Sequence, residues 1–141
     1  MEWNSVQTVL VPVDLEEATG QAIRTALQAA ASPGGVHVVY VLPELEPSLM
    51  VQIDVNSRKN HALRSLDKWL EEQGASGVAS EVLVGKPARA IVDRAHELNA
   101  DLVVLESRPH NAVSRALIGS VAERVVRHAV CPVLMLRMPE A

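Results

Sequence analysis

The chain has no phenylalanine, one tyrosine and two tryptophans. So few rings leave little on which single-stranded nucleic acid could stack. Nor is there a long basic run: thirteen Lys and Arg against seventeen Asp and Glu give a formal charge of −4, the wrong sign for a phosphate backbone. Nucleic acid is therefore not expected as a partner. One cysteine, Cys131, excludes an internal disulfide. No apolar run approaches the ~20 residues that span a bilayer. The opening "MEWNSVQTVL" has an acidic second residue and no basic-then-apolar leader. No membrane is expected, and a reducing cytoplasm is the natural location.

What remains is largely aliphatic, with 48% hydrophobic residues in 141. That suffices for one folded domain spanning residues 1–141, with a core that needs neither metal nor disulfide. "TVLVPVD" (8–14) is β-branched and apolar, as in a strand buried on both faces, with Pro12 near its end. "LEEATGQAIRTALQAAA" places alanines at helical spacing, with Glu16 and Glu17 near the expected start, until "SPGG" stops it. "VHVVYVL" (36–42) is a second strand. A helical region is expected from about Leu49 to Gln73, with Ala62, Leu63, Leu66, Trp69 and Leu70 on one face and Gly74 as its stop. "VASEVLVG" (78–85) is a third strand, nearer an edge because it alternates. "KPARAIVDRAHELNA" is a helix with Pro87 in its first turn. "DLVVLE" (101–106), "SVAERVVRHA" (120–129) and "PVLMLR" then complete a βαβαβαβαβ order. Such alternation predicts an α/β fold, a doubly wound five-stranded parallel sheet with helices on both faces.

In such a sheet a ligand sits beyond the carboxyl ends of the strands, where their order reverses. With the order 3-2-1-4-5, that point lies between strands one and four, beside Asp14 and Glu106. The following helix begins Gly119-Ser120-Val121-Ala122-Glu123. This fits an S-x-x-E capping box, and a free helix start also attracts anions. Capping alone would account for Ser120.

The stretch "DLVVLESRPHNAVSRALIGSVAERVVRHAVCPVLMLR" closely resembles the C-terminal signature of the universal stress protein (UspA-type) family. "VLVPVD", "VVYVL" and "GKPARAIVDRAHELNADLVV" fit the same family in the same order. The resemblance covers essentially the whole chain and implies a stress-response role, the sheet order above and a homodimer. Nucleotide-binding members carry G-x-x-G, nine residues, then G-S/T; these positions fall on Glu106, Pro109, Gly119 and Ser120. The resemblance further implies nucleotide contacts at Val13 and Asp14, and a backbone contact to adenine at Val41. Arg108, inside the first half of the motif, and Val121, after its second half, complete the candidate binding residues.

Half of that motif is absent. Pro109 has a fixed φ and no N–H, so it cannot join a nest of backbone donors, and it biases Arg108 toward extended geometry. A Glu106 carboxylate ~5 Å from a phosphate would cost on the order of 3 kcal/mol at an effective dielectric of ~20. Arg108, Arg115 or Lys86 would offset this; alternatively, Arg108 pairs with Glu106 or Asp101. The expectation is a degenerate pocket with weakened or lost binding of ATP or AMP. The rival is an ATP- or AMP-binding switch that uses Gly119, Ser120 and a rearranged 106–115 loop.

Other chemistry finds little support. His37, His61, His96, His110 and His128 are scattered without metal-ligand spacing. Cys131 has no evident activating partner. No G-x-S-x-G elbow occurs, and Asp14 alone would have to serve a weak ATPase or hydrolase. The last strand is apolar on both sides yet expected at an edge, an aggregation hazard that a second copy would cover through Pro132 to Arg137. The expected protein is thus a cytoplasmic, non-enzymatic homodimer acting through a protein partner that the sequence does not name.

Overall fold

The structure, a computed structural model, describes residues 5–15, 18–44, 54–107 and 119–138. Five strands, β1 (Val9–Pro12), β2 (Val36–Leu42), β3 (Ala79–Val84), β4 (Leu102–Ser107) and β5 (Val133–Arg137), alternate with α1 (Gln21–Ala29), α2 (Val55–Glu72), α3 (Pro87–Glu97) and α4 (Ser120–His128). The strands form one parallel sheet in the order β3-β2-β1-β4-β5. This is the doubly wound arrangement expected from the βα alternation, with the order reversing between β1 and β4.

Side-chain alternation along the strands builds two cores. Val9, Val11, Leu102 and Val104 point to one face and pack with Ala22, Ile23, Ala62, Leu66 and Leu70 of α1 and α2. Leu10, Val103 and Leu105 point to the other and pack with Ile91, Ala95, Ala122 and Val125 of α3 and α4. The central strands β1 and β4 are covered on both sides, which explains why they are unbroken apolar runs.

At the amino-terminal end of the sheet, the Asp101 carboxylate accepts hydrogen bonds from the backbone N–H groups of Gln7 (2.9 Å) and Thr8 (3.0 Å). Asp101 N–H donates to the Thr8 carbonyl at 2.8 Å. Asp101 thus ties β4 to the segment entering β1. These backbone donors hold its pKa below the ordinary carboxylate range. Gly35 approaches the same segment so closely that a Cβ there would overlap the Gln7 carbonyl oxygen.

Strand ends fall within a residue or two of expectation, and two helix starts differ from it. The first helix starts at Gln21, not near residue 16; Gly20, at φ 85°, is its N-cap, and no acidic residue lies in its first turn. Glu16 and Glu17 lie outside the described residues. The last helix has Gly119 as N-cap with no side-chain cap, so Ser120 is its first helical residue and the expected capping box does not form. Glu123 instead pairs with Arg127 at 2.7 Å. α2 is capped by Asp54, whose carboxylate accepts from Asn56 N–H at 3.0 Å; the expected start near Leu49 lies outside the described residues. Among the described residues no helix is long and apolar enough to cross a membrane.

Candidate ligand site at the strand switch point

A cavity of about 360 Å³ opens at the carboxyl ends of β1, β2 and β4. That is within the range of small-molecule sites. Val13 and Asp14 leave β1 on one side of it; Val39, Tyr40, Val41 and Pro43 line it from β2. Leu105, Glu106 and Ser107 form the β4 wall, Pro87 and Ile91 come from α3, and Gly119, Val121 and Ala122 from the start of α4. The lining is mostly apolar. Its carboxylates among the described residues are Asp14 and Glu106, and no described Lys, Arg or His lines it.

The parity of β4 decides what its last residues do. Residues 102 and 104 face α1, so Glu106 faces that side too. Its carboxylate accepts from Thr19 N–H (3.1 Å), Thr19 Oγ1 (3.0 Å) and Ala22 N–H (3.2 Å). Gly20 has no side chain with which to cap α1, and Glu106 supplies that cap from 84 residues away. Residues 103 and 105 face α4, and Ser107 follows them. Its hydroxyl accepts from Gly119 N–H at 2.9 Å, and its carbonyl accepts from Met138 N–H at 2.9 Å.

From the sequence, the Glu106 charge is expected to oppose an incoming phosphate. In the structure it lines the cavity, but three donors from the α1 side engage it. The N–H of Gly119, the third glycine-type position of the motif, is already taken by Ser107. The first-turn N–H groups of Ser120, Val121 and Ala122 have no intrahelical acceptor.

Of the sequence-selected residues, Val13, Asp14, Val41, Glu106, Gly119 and Val121 meet at the cavity. Ser120 lies instead in a neighbouring groove between α3 and α4. Arg108, Pro109 and Arg115 lie outside the described residues, so the proposed pairing of Arg108 does too. Asp101, one of its suggested partners, is engaged by backbone at the far end of the sheet. Sequence reasoning missed Ser107, although strand parity beside Glu106 pointed it at Gly119. It also missed Tyr40 and Met138, which no motif marks.

Cys131 is partly buried, and burial, with the nearby Asp101 charge, raises its thiol pKa. Among the described residues no three His, Cys, Asp or Glu side chains come together as metal ligands.

A doubly wound parallel sheet with an apolar crevice at its switch point, closed by a glycine-led helix start, is the architecture of an α/β domain that takes a small ligand beyond its strand ends. The Universal stress protein family model matches residues 5–137, and the chain belongs to that family. Universal stress protein MJ0531 of Methanocaldococcus jannaschii is 30% identical over 97% of this chain and 85% of its own. Universal stress protein UspA from Lactobacillus plantarum superposes with a TM-score of 0.66 at 26% identity, covering 94% of this chain and 98% of the other. A universal stress protein solved in complex with cAMP gives a TM-score of 0.63 at 27% identity, covering 95% and 98%.

Proposed function

We propose that this universal stress protein is a non-enzymatic, cytoplasmic regulatory protein that acts through protein partners and binds ATP only weakly. The observation that carries this reading is the engagement of Glu106. A residue that nucleotide-binding members would supply as glycine is here a carboxylate built into the capping of α1. With Asp14 it gives the cavity an acidic lining, unsuited to a polyanion. The Gly119 N–H is spent on Ser107, which removes one more donor for a phosphate.

Calorimetric titration with ATP and AMP is the direct test. ATP is expected to bind with a Kd of about 1 mM or weaker, near −4 kcal/mol. A Kd below about 10 µM, near −7 kcal/mol, would defeat the reading. Glu106→Gly with Pro109→Gly should recover affinity by at least about tenfold, since it removes the carboxylate and restores a backbone donor.

One observation favours a second reading, a nucleotide-binding switch. A similar protein was solved with cAMP, and the start of α4 retains Gly119 and Ser120 with first-turn N–H groups that have no intrahelical acceptor. This reading predicts that protein purified without added ligand releases adenine nucleotide on denaturation, detectable by mass spectrometry.

The homodimer proposal rests on β5. Val133, Leu134, Met135 and Leu136 are only half-buried at the sheet edge, which suits cover by a second copy. Sedimentation should return twice the chain mass, and Met135→Lys should halve it.

A further inference from the structure

On the face of the sheet opposite α1 and α2, a groove of about 480 Å³ runs between α3 and α4. Lys86 and Arg89 stand on its α3 wall, Arg124 and His128 on its α4 wall, and Val92 and Val121 give it an apolar floor. Among the described residues no Asp or Glu lines it. Arg89 is shared with Asp93 at 3.7 Å. The side chains of Lys86, Arg124 and His128 have no ion pair or hydrogen bond among the described residues. On a chain of net charge −4, this is a local reversal of sign.

We infer that the α3–α4 groove, through Lys86, Arg89, Arg124 and His128, is a docking surface for an acidic segment of a partner protein. The charge is one reason. Both helices also begin in the groove, at Pro87 and Ser120, so their positive ends add to the potential of Lys86, Arg89 and Arg124. The spacing favours a chain over a compact anion. Lys86 and Arg89 stand on one wall and Arg124 on the other, facing across the groove. The His128 imidazole lies one turn from Arg124, ~6 Å along the axis. An extended peptide with a carboxylate at every second residue presents charges ~6.5 Å apart. A nucleic acid strand fits less well, because the described residues give the groove no aromatic ring. Among the described residues the groove shares Pro87 and Val121 with the cavity, and Ser120 and Lys86 on its walls are residues that a bound nucleotide would also engage, so nucleotide and peptide would compete at this end of the groove.

The test is fluorescence polarisation with a short labelled peptide of alternating glutamate and alanine, at low salt. Binding with a Kd on the order of 100 µM is expected, weakening steeply as salt screens it. Lys86→Glu with Arg124→Glu should weaken binding at least about tenfold. Arg64→Glu with Lys68→Glu alters net charge equally on exposed positions of α2, on the other face, and should leave binding within about twofold. Amide shifts of Ala88, Val92, Val121 and Arg124 in the unmutated protein should respond to the peptide, which keeps the test independent of variant folding. The inference is overturned by no measurable binding, by equal losses in the two double variants, by shifts confined elsewhere, or by tighter binding of a single-stranded polyuridine than of the peptide.

Discussion

Replacing Glu106 with alanine tests whether a residue at the site also holds a helix in place. α1 has nine residues, a glycine N-cap at φ 85°, no side-chain cap of its own and no acid in its first turn. Glu106 supplies three accepted hydrogen bonds, two from backbone N–H groups and one from the Thr19 hydroxyl. Losing an N-cap typically costs about 1 kcal/mol, and losing a carboxylate from the positive end of a helix a further ~0.5 kcal/mol. The contact is part-exposed, so water replaces some of what is lost. A total of about 1–1.5 kcal/mol follows, with Glu106→Gln at roughly half, since it keeps an acceptor but not the charge. For a chain of this length, at ~2.1 cal/mol/K of unfolding entropy per residue, the alanine variant should melt about 3–5 °C lower. Circular dichroism melts and urea titrations at pH 7 read this directly. A Glu106→Ala melting point within about 1 °C of the parent would refute the capping argument.

Three further outcomes follow from contacts elsewhere. Asp101 has a folded pKa below its unfolded value near ~3.9, so its stabilisation is complete above that value and lost as pH falls through the folded one; the urea midpoint of the parent should drop below about pH 4, and Asp101→Ala should remove part of that slope. Gly35→Ala should cost about 1–3 kcal/mol in urea unfolding, because its methyl would overlap the Gln7 carbonyl oxygen; a neutral result would mean that the two segments separate freely. Cys131 should react with a disulfide reagent at pH 7.5 more slowly than an unhindered thiol, since burial and the Asp101 charge keep it protonated; Asp101→Asn should speed the reaction, and a parent rate equal to that of free cysteine would contradict this.

The fold was legible because its signals are local and repeated. β2 was bounded correctly at Val36–Leu42, where "PGG" precedes it and Pro43 follows. The doubly buried runs of β1 and β4 announced a parallel sheet, and its switch point followed. The start of α1 was misplaced for the opposite reason. Glu16 and Glu17 looked like first-turn acids, whereas the effective acid is Glu106, which reaches the helix only after the sheet has formed. Ser120 matched a local motif, yet Gly119 took the cap and Glu123 went to Arg127. The role of Glu106 as a bulky charge at a glycine position was visible in the sequence, but its partners were not. Ser107 was overlooked because its function depends on which way β4 faces, a property that no spacing rule states.

Glu106 also constrains how this chain could change. In a relative with glycine at this position, the helix would have to be held by other means. Here, a lone change to glycine would remove the carboxylate from the cavity and loosen α1 in the same stroke. A loop with glycine at this position would thus be separated from the present one by a less stable intermediate, unless a substitute cap near residues 19–22 arose first. A small carboxylate in a turn can in this way act as a ratchet, making the drift of a ligand site easier in one direction than in the other.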